Sequence, residues 1–121
     1  MPIVLYNNDD TDAKGAITLS DNTDNYTRLT IYYKNTNGFF SSVDVYNPNR
    51  KTVTLLNFAY GNVDNADPMI LKFRVITISD NKIDTSKSSG GTYVTGEQRL
   101  SADNHYVKGD FIAITTVLGY K

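Results

Sequence analysis

The 121-residue chain contains no cysteine and no tryptophan, and it has a single histidine, His105, and a single glutamate, Glu97. Without cysteine there is no disulfide bond, no thiolate nucleophile and no cysteine-ligated zinc or iron–sulfur site. One histidine is too few for a metal centre built from several histidines. We therefore expect no metal site and no cofactor.

Charge clusters and long apolar runs are also missing. The formal net charge is −1, and the basic residues do not form the stripe that nucleic-acid binding needs. No apolar run approaches the roughly 20 residues of a membrane-spanning helix, and the N-terminus lacks the basic and apolar regions of a signal peptide. We expect no nucleic-acid partner, no membrane insertion and no secretion signal.

Strand-forming residues dominate the composition. Ile, Val, Thr, Tyr and Phe account for 46 residues, whereas the helix formers Ala, Leu, Met, Glu and Gln account for 18. β-Branched and aromatic side chains fit the pleated surface of a sheet. Clusters of Asn, Asp, Thr and Ser separate the apolar stretches at the spacing typical of a β-sandwich or barrel. Because no linker divides the chain, we predict one all-β domain over residues 1–121.

The segment from Arg28 to Phe58 carries the strongest pattern. Two alternating runs flank a loop that ends at Gly38. Directly opposed residues of a hairpin share a face, so only a three-residue loop, 36–38, aligns the apolar positions of both runs. It pairs Leu29 with Val45, Ile31 with Val43 and Tyr33 with Ser41. Such a loop needs a left-handed residue at its third position, where Gly38 stands.

The same requirement, that opposed residues share a face, predicts the loop Pro48-Asn49-Arg50 at the next turn, with Val45 opposite Val53. Pro48 has the fixed φ angle of a first turn position, and Arg50 takes a left-handed position that Gly or Asn fills more easily. We therefore predict a three-stranded meander. Its apolar face consists of Leu29, Ile31, Tyr33, Val43, Val45, Val53 and Leu55.

Two later segments, 69–79 and 111–118, are apolar on both faces, as central strands are. A two-residue turn at Asp80-Asn81 pairs Ile78 with Ile83 after the first segment. In the second we place Ile112 and Ile114 on one face and Phe111, Ala113 and Val117 on the other. With shorter strands at 3–6, 16–19 and 93–94, the pattern predicts about eight strands in a jelly-roll-like antiparallel β-sandwich of two packed sheets.

The opposite face of the predicted meander mixes aromatic and charged side chains, and it is the candidate binding surface. Its candidate residues are Arg28, Tyr32, Lys34, Phe40, Asp44 and Tyr46, and Phe58 extends the same face. Aromatic rings stack on sugar rings while polar neighbours bond hydroxyl groups, as in a lectin. Alternatively a loop or a neighbouring subunit covers this face, or it is simply exposed to solvent; an extended exposed aromatic patch favours an interface.

Several short runs point to one family. They are Ile17-Thr18-Leu19-Ser20, Asn25-Tyr26, Leu29-Thr30-Ile31-Tyr32-Tyr33-Lys34, Gly38-Phe39-Phe40, Val45-Tyr46-Asn47-Pro48-Asn49, Lys51-Thr52-Val53 and the final Ile114-Thr115-Thr116-Val117-Leu118-Gly119-Tyr120-Lys121. Together they resemble a small domain of the minor structural or tail-fibre proteins of phages and prophages of Gram-positive bacteria. Arg50 departs from the Gly expected at that turn of the domain, and the resemblance does not place residues 62–67 and 85–104.

The resemblance implies a virion protein of the phage tail, made in the bacterial cytoplasm. Its partners are then other tail or fibre subunits, often in a homotrimer, and a host cell-surface glycan is a further candidate. No catalytic residues come with the resemblance. The expected function is a non-enzymatic structural module that contributes to host attachment or fibre assembly; a lectin-like carbohydrate-binding module of a bacterial or phage surface protein is the alternative.

Other motifs favour structural interpretations. The run Asn8-Asp9-Asp10-Thr11-Asp12 resembles a calcium loop, but Ala13 and Leu19 stand where an EF-hand needs Gly and Glu. His105 near Asp103 and Ser101 is weak support for a catalytic triad, because triads are assembled in space. A chain of 121 residues also leaves little room for a substrate cleft. We therefore predict that the protein is not an enzyme.

Overall fold

The computed structural model describes residues 1–8, 15–60, 69–99 and 106–121. These residues form ten strands and one short 3₁₀ turn, Thr23–Asn25, and contain no α-helix. The strands are β1 (Ile3–Asn7), β2 (Ile17–Thr18), β3 (Arg28–Asn35), β4 (Phe40–Tyr46), β5 (Lys51–Tyr60), β6 (Met69–Ser79), β7 (Lys82–Thr85), β8 (Thr95–Arg99), β9 (Tyr106–Lys108) and β10 (Ile112–Tyr120). The predicted all-β class is confirmed, with ten strands in place of about eight.

The strands form two antiparallel sheets. Sheet A has the order β1-β10-β3-β4. In sheet B the long strand β6 pairs with β5 along one side, and with β7 and β8 one after the other along the opposite side. Strands β2 and β9 complete sheet B by pairing with β7 and β8. The two segments predicted to be central, β6 and β10, are both flanked by neighbours on each side.

The core lies between the two sheets, because both contribute to a single cluster of buried apolar side chains. The cluster comprises Leu5, Ile17, Leu19, Tyr26, Leu29, Ile31, Tyr33, Val45, Leu55, Ile76, Ile78, Ile83, Ile112, Ile114 and Val117. Val43 and Val53 pack against it and are partly buried. All seven residues of the predicted apolar face therefore point into the core.

The β3–β4 hairpin has the predicted register. Leu29 pairs with Val45, and Ile31 pairs with Val43. Gly38 has a φ angle of +83°, and its N–H donates to the carbonyl oxygen of Asn35 at 3.0 Å. The left-handed residue at the third loop position is therefore confirmed.

The predicted pairing of β4 with β5 is wrong. Strand β5 belongs to sheet B, where all ten of its residues pair with β6. The chain crosses from one sheet to the other between Asn47 and Arg50, whose φ angles of 49° and 64° are both left-handed. Arg50 thus has the predicted conformation, but the turn forms an arch between sheets. Val45 and Val53 share the core because they face each other across it, not because they are neighbours on one face.

The turn between β6 and β7 is confirmed, since Ile78 pairs with Ile83. Asp80, within this turn, has a φ angle of 55°. In contrast, the predicted short strand at 93–94 is only an isolated bridge between Tyr93 and Lys87. Strands β8 and β9 were not predicted, because their polar sequences lack an apolar alternation.

One facing assignment in β10 is wrong. Val117 lies in the same core cluster as Ile112 and Ile114, although alternation places it on the opposite face. The cause is a register shift against β3 between Ile114 and Thr116, which leaves Thr115 as an extra residue. A bulge of this kind reverses the facing of every later residue.

Candidate functional site

The six predicted site residues lie together on the solvent side of sheet A, a surface called the outer face of sheet A. Strands β3 and β4 each contribute three, at alternate positions. The register pairs Arg28 with Tyr46 and Lys34 with Phe40. Because side chains alternate across a strand, a hairpin of this register brings all six to one side.

Three aromatic rings of this face are open to solvent. Phe40 is 70% exposed, Tyr46 61% and Tyr32 40%. Burying such rings is favourable by about 25 cal/mol per Å² of apolar surface. A partner that covers the outer face of sheet A therefore lowers the free energy of the system by removing these rings from water.

Cationic side chains lie beside the aromatic rings of this face. The Lys34 ammonium lies 5.5 Å from the centre of the Phe40 ring. The Arg28 guanidinium lies 3.9 Å from the centre of the Tyr120 ring and 6.0 Å from that of Tyr46. All three are cation–π contacts. Hydrogen bonding to Tyr46 is the largest cause that raises the pKa of Arg28, and it opposes the effect of desolvation.

The carboxylate of Asp44 is oriented by the strand beside it. The Thr30 hydroxyl donates to Asp44 Oδ1 at 2.7 Å, and these two residues are directly paired across β3 and β4. Asp44 remains exposed. The face therefore presents an oriented acceptor between aromatic rings.

Sequence reasoning missed Tyr120 and misplaced Phe58. Tyr120 pairs with Arg28 across β10 and β3; the bulge at Thr115 sets its facing, and alternation gives no signal for a bulge. Phe58 lies on β5 in sheet B and is not part of the site. It belongs to the outer face of sheet B, where it neighbours Leu71. On that face the rings of Phe73 and Tyr106 stack with their centres 5.9 Å apart.

Two cations of β6 point into the sandwich. Lys72 Nζ lies 3.8 Å from Glu97 Oε2, and it donates to Thr36 Oγ1 at 2.5 Å and to Asn37 Oδ1. The guanidinium of Arg74 is fully buried. These contacts join β6 to the β3–β4 loop and to β8, and they make one end of the core polar.

A cleft of about 240 Å³ lies near Arg74. It is lined by Gly15, Ala16, Asp84, Thr85, Tyr93 and Asp110. Burial lowers the pKa of Arg74, while the charges of Asp110 and Asp84 oppose that shift. The guanidinium contacts the cleft through two of its lining residues: Nη2 donates to the Gly15 carbonyl oxygen at 3.0 Å and Nε donates to Thr85 Oγ1 at 2.7 Å.

Over the described ranges, no group of three or more His, Asp or Glu side chains is placed to hold a metal ion. No helix in that part of the chain is long and apolar enough to cross a membrane. Of the calcium-like run, residues 9–12 lie outside the described residues, and so do Ser101, Asp103 and His105.

No protein-family model, curated protein or solved structure matches this chain. The resemblance to phage tail proteins accordingly stays a prediction.

Proposed function

We propose that this chain is a non-enzymatic module of a phage tail or tail fibre, and that the outer face of sheet A contacts its partner. The observation that carries the binding role is the set of three exposed aromatic rings on one sheet, two of which lie beside cations. Aromatic and Arg side chains are the residues that most often dominate binding energy at interfaces.

The virion assignment rests on the sequence resemblance alone. In that assignment the protein is made in the bacterial cytoplasm and ends in the tail, next to other tail or fibre subunits in a homotrimer. The exposed rings then serve fibre assembly or attachment to the host. Either role needs only non-covalent contacts.

Carbohydrate recognition is the second candidate, and it is favoured by the arrangement around Asp44. The carboxylate is fixed by Thr30 at 2.7 Å, and the rings of Phe40 and Tyr46 stand at either end of β4. Rings that stack on a pyranose beside a fixed acceptor for its hydroxyl protons are the features that a lectin uses. In this case the partner is a host cell-surface glycan.

Binding to cells tests the proposed surface. The fluorescently labelled protein is titrated onto intact Gram-positive cells, and the Phe40→Ala/Tyr46→Ala double variant is compared with Phe58→Ala. Phe58 is a matched control because it is 51% exposed but lies on the other sheet. We expect the double variant to bind at least about tenfold more weakly, since truncating a residue that dominates an interface costs about 2 kcal/mol or more, and the control to bind like the unaltered chain.

Equal binding by the double variant and the unaltered chain contradicts the proposed surface. Purified cell-wall polysaccharide and a glycan array then separate the two candidates. Saturable glycan binding that the double variant loses supports the lectin function. Cell binding without any glycan signal supports attachment through a protein partner.

A further inference from the structure

The free edge of β4 presents unpaired backbone groups. The N–H of Asn35 donates to the Phe39 carbonyl at 3.1 Å, and the N–H of Asn47 donates to the Thr27 carbonyl at 2.8 Å. Since antiparallel pairing alternates, odd-numbered residues of β4 bond to β3 and even-numbered residues point their N–H and C=O away. Within the described residues, no hydrogen bond reaches the backbone of these even-numbered positions: Phe40, Ser42, Asp44 and Tyr46.

The other long edges of the sandwich are protected. Strand β1 contains a register shift, and its Leu5 carbonyl already accepts a hydrogen bond from Ser20 N–H at 2.9 Å. On β5 the Tyr33 hydroxyl accepts from Leu56 N–H at 3.2 Å and donates to the Leu56 carbonyl at 2.8 Å. Strands β2 and β9 have only two and three residues. In contrast, β4 has seven residues, no bulge, no Pro and no Lys, and edges of this kind pair with other strands.

We propose that two copies of this chain associate by antiparallel pairing of their β4 strands about a two-fold axis at Val43. In this register Ser42 lies opposite Asp44 of the second copy, and Phe40 lies opposite Tyr46. The hydroxyl can then donate to the carboxylate, and aromatic side chains form cross-strand pairs. The two four-stranded sheets become one continuous sheet.

The charge of Asp44 selects this register. A shift of two residues in one direction places Asp44 opposite Asp44 of the second copy, and directly opposed like charges are destabilising. A shift in the other direction leaves Tyr46 without an opposite strand residue. Shifts of one residue place the outward-pointing groups of one strand against residues already bonded to β3. Only the register centred on Val43 pairs all four free positions, which form about eight backbone hydrogen bonds.

A two-fold contact closes at two copies. It therefore gives a dimer, whereas the tail resemblance implies a homotrimer. The inference does not rest on the virion assignment, because it uses only the edge, its hydrogen-bonding phase and its side-chain order.

A proline substitution on the edge tests the pairing. Ser42→Pro removes only an outward N–H and leaves the β3–β4 hydrogen bonds intact. Thr54→Pro is the matched control. Thr54 lies on the edge strand β5 two residues before Leu56, whose N–H points away from β6, so the N–H of Thr54 points the same way and proline removes no bond to β6. By sedimentation velocity we expect a monomer–dimer equilibrium for the unaltered chain, and a dissociation constant at least about tenfold higher for Ser42→Pro, because the symmetry removes two hydrogen bonds. The control keeps the unaltered value, and circular dichroism verifies that both variants fold.

Disulfide trapping supplies a second readout that does not depend on proline, and the absence of cysteine makes any introduced thiol unique. In Val43→Cys the two Cα atoms lie about 4.5 Å apart across the axis, within disulfide range. In Ser41→Cys they lie about 13 Å apart, although both positions are half-buried on the same strand. We expect rapid covalent dimers from Val43→Cys alone.

Equal cross-linking of the two cysteine variants overturns the proposed pairing, and so does a monomeric unaltered chain at every concentration. A monomer that still binds cells refutes the pairing and leaves the proposed function intact. A dimer whose cell binding survives the Phe40→Ala/Tyr46→Ala change refutes the proposed surface and leaves the pairing intact.

Discussion

At the scale of single residues, the two cations of β6 are the least expected feature. Arg and Lys within an apolar run indicate solvent exposure by composition, yet Lys72 and Arg74 are both buried. Their position is consistent with alternation, because they share a face with Ile76 and Ile78. A sequence shows the face of a strand but not the acceptors that neighbouring segments bring to it, so burial of these charges could not be predicted.

Three acceptors from separate segments take the place of water around the guanidinium of Arg74. It donates to Thr85 Oγ1 at 2.7 Å, to the Ile112 carbonyl at 3.3 Å and to the Gly15 carbonyl at 3.0 Å. One side chain therefore connects β6 with β7, β10 and the segment before β2. Since a buried charge is costly unless it is hydrogen-bonded, these bonds are what makes an arginine tolerable at this position.

The variant Arg74→Met is expected to lower the free energy of unfolding by about 3 kcal/mol, because two buried acceptors (Thr85 Oγ1 and the Ile112 carbonyl) and the part-buried Gly15 carbonyl lose their donor while the volume is nearly kept. Thr85→Val is the smaller companion change, and we expect it to cost about 1 kcal/mol, since it removes only one bond. Urea denaturation followed by circular dichroism measures both. An Arg74→Met variant as stable as the unaltered chain contradicts the expectation, and it means that desolvation of the guanidinium outweighs its hydrogen bonds.

At the scale of elements, the sequence pattern correctly predicted which side chains of a strand face the core. It did not correctly predict which strands pair with each other. The β3–β4 hairpin and the β6–β7 turn both have the predicted register. Strand β5 faces the core as predicted but belongs to the other sheet. A loop with an odd number of residues keeps the apolar residues of both flanking strands facing the core. This holds whether the second strand pairs with the first in one sheet or lies across the core in the other sheet. Choosing between them depends on β6, a distant strand that pairs along the whole length of β5.

The β4–β5 arch offers a stability test at Arg50. Its φ angle of 64° lies in a region that costs a non-glycine residue about 1–2 kcal/mol, and the Arg50 side chain is exposed. We expect Arg50→Gly to raise the free energy of unfolding by about 0.5–1 kcal/mol after the entropy of glycine in the unfolded chain is subtracted. We expect Gly38→Ala to lower the free energy of unfolding. Its φ angle is +83° and no atom lies within 4 Å of the added Cβ, so the cost comes from the backbone conformation alone. Destabilisation by Arg50→Gly, measured in urea, contradicts this account of the arch.

At the scale of the whole molecule, the order of strands was the part that the sequence could not predict. Apolar residues on both faces correctly marked β6 and β10 as central. However, the pattern does not reveal that the final strand lies between β1 and β3, because that contact joins residues from opposite ends of the chain. Sheet A is therefore complete only after β10 is in place.

A chain that ends at Asp110 tests the dependence of the fold on β10. It lacks the buried side chains of Ile112, Ile114 and Val117, each of which stabilises the fold by about 1.5–3 kcal/mol. Their sum is comparable to the entire stability of a typical domain, about 5–15 kcal/mol, and β1 also loses its partner. We therefore expect the shortened chain to show no cooperative urea transition by circular dichroism. A peptide of residues 111–121 restores the transition, but the same peptide carrying Ile114→Asp does not, because a carboxylate then enters the apolar core. A cooperative transition in the shortened chain alone means that sheet B and the β3–β4 hairpin form a stable unit without the centre of sheet A.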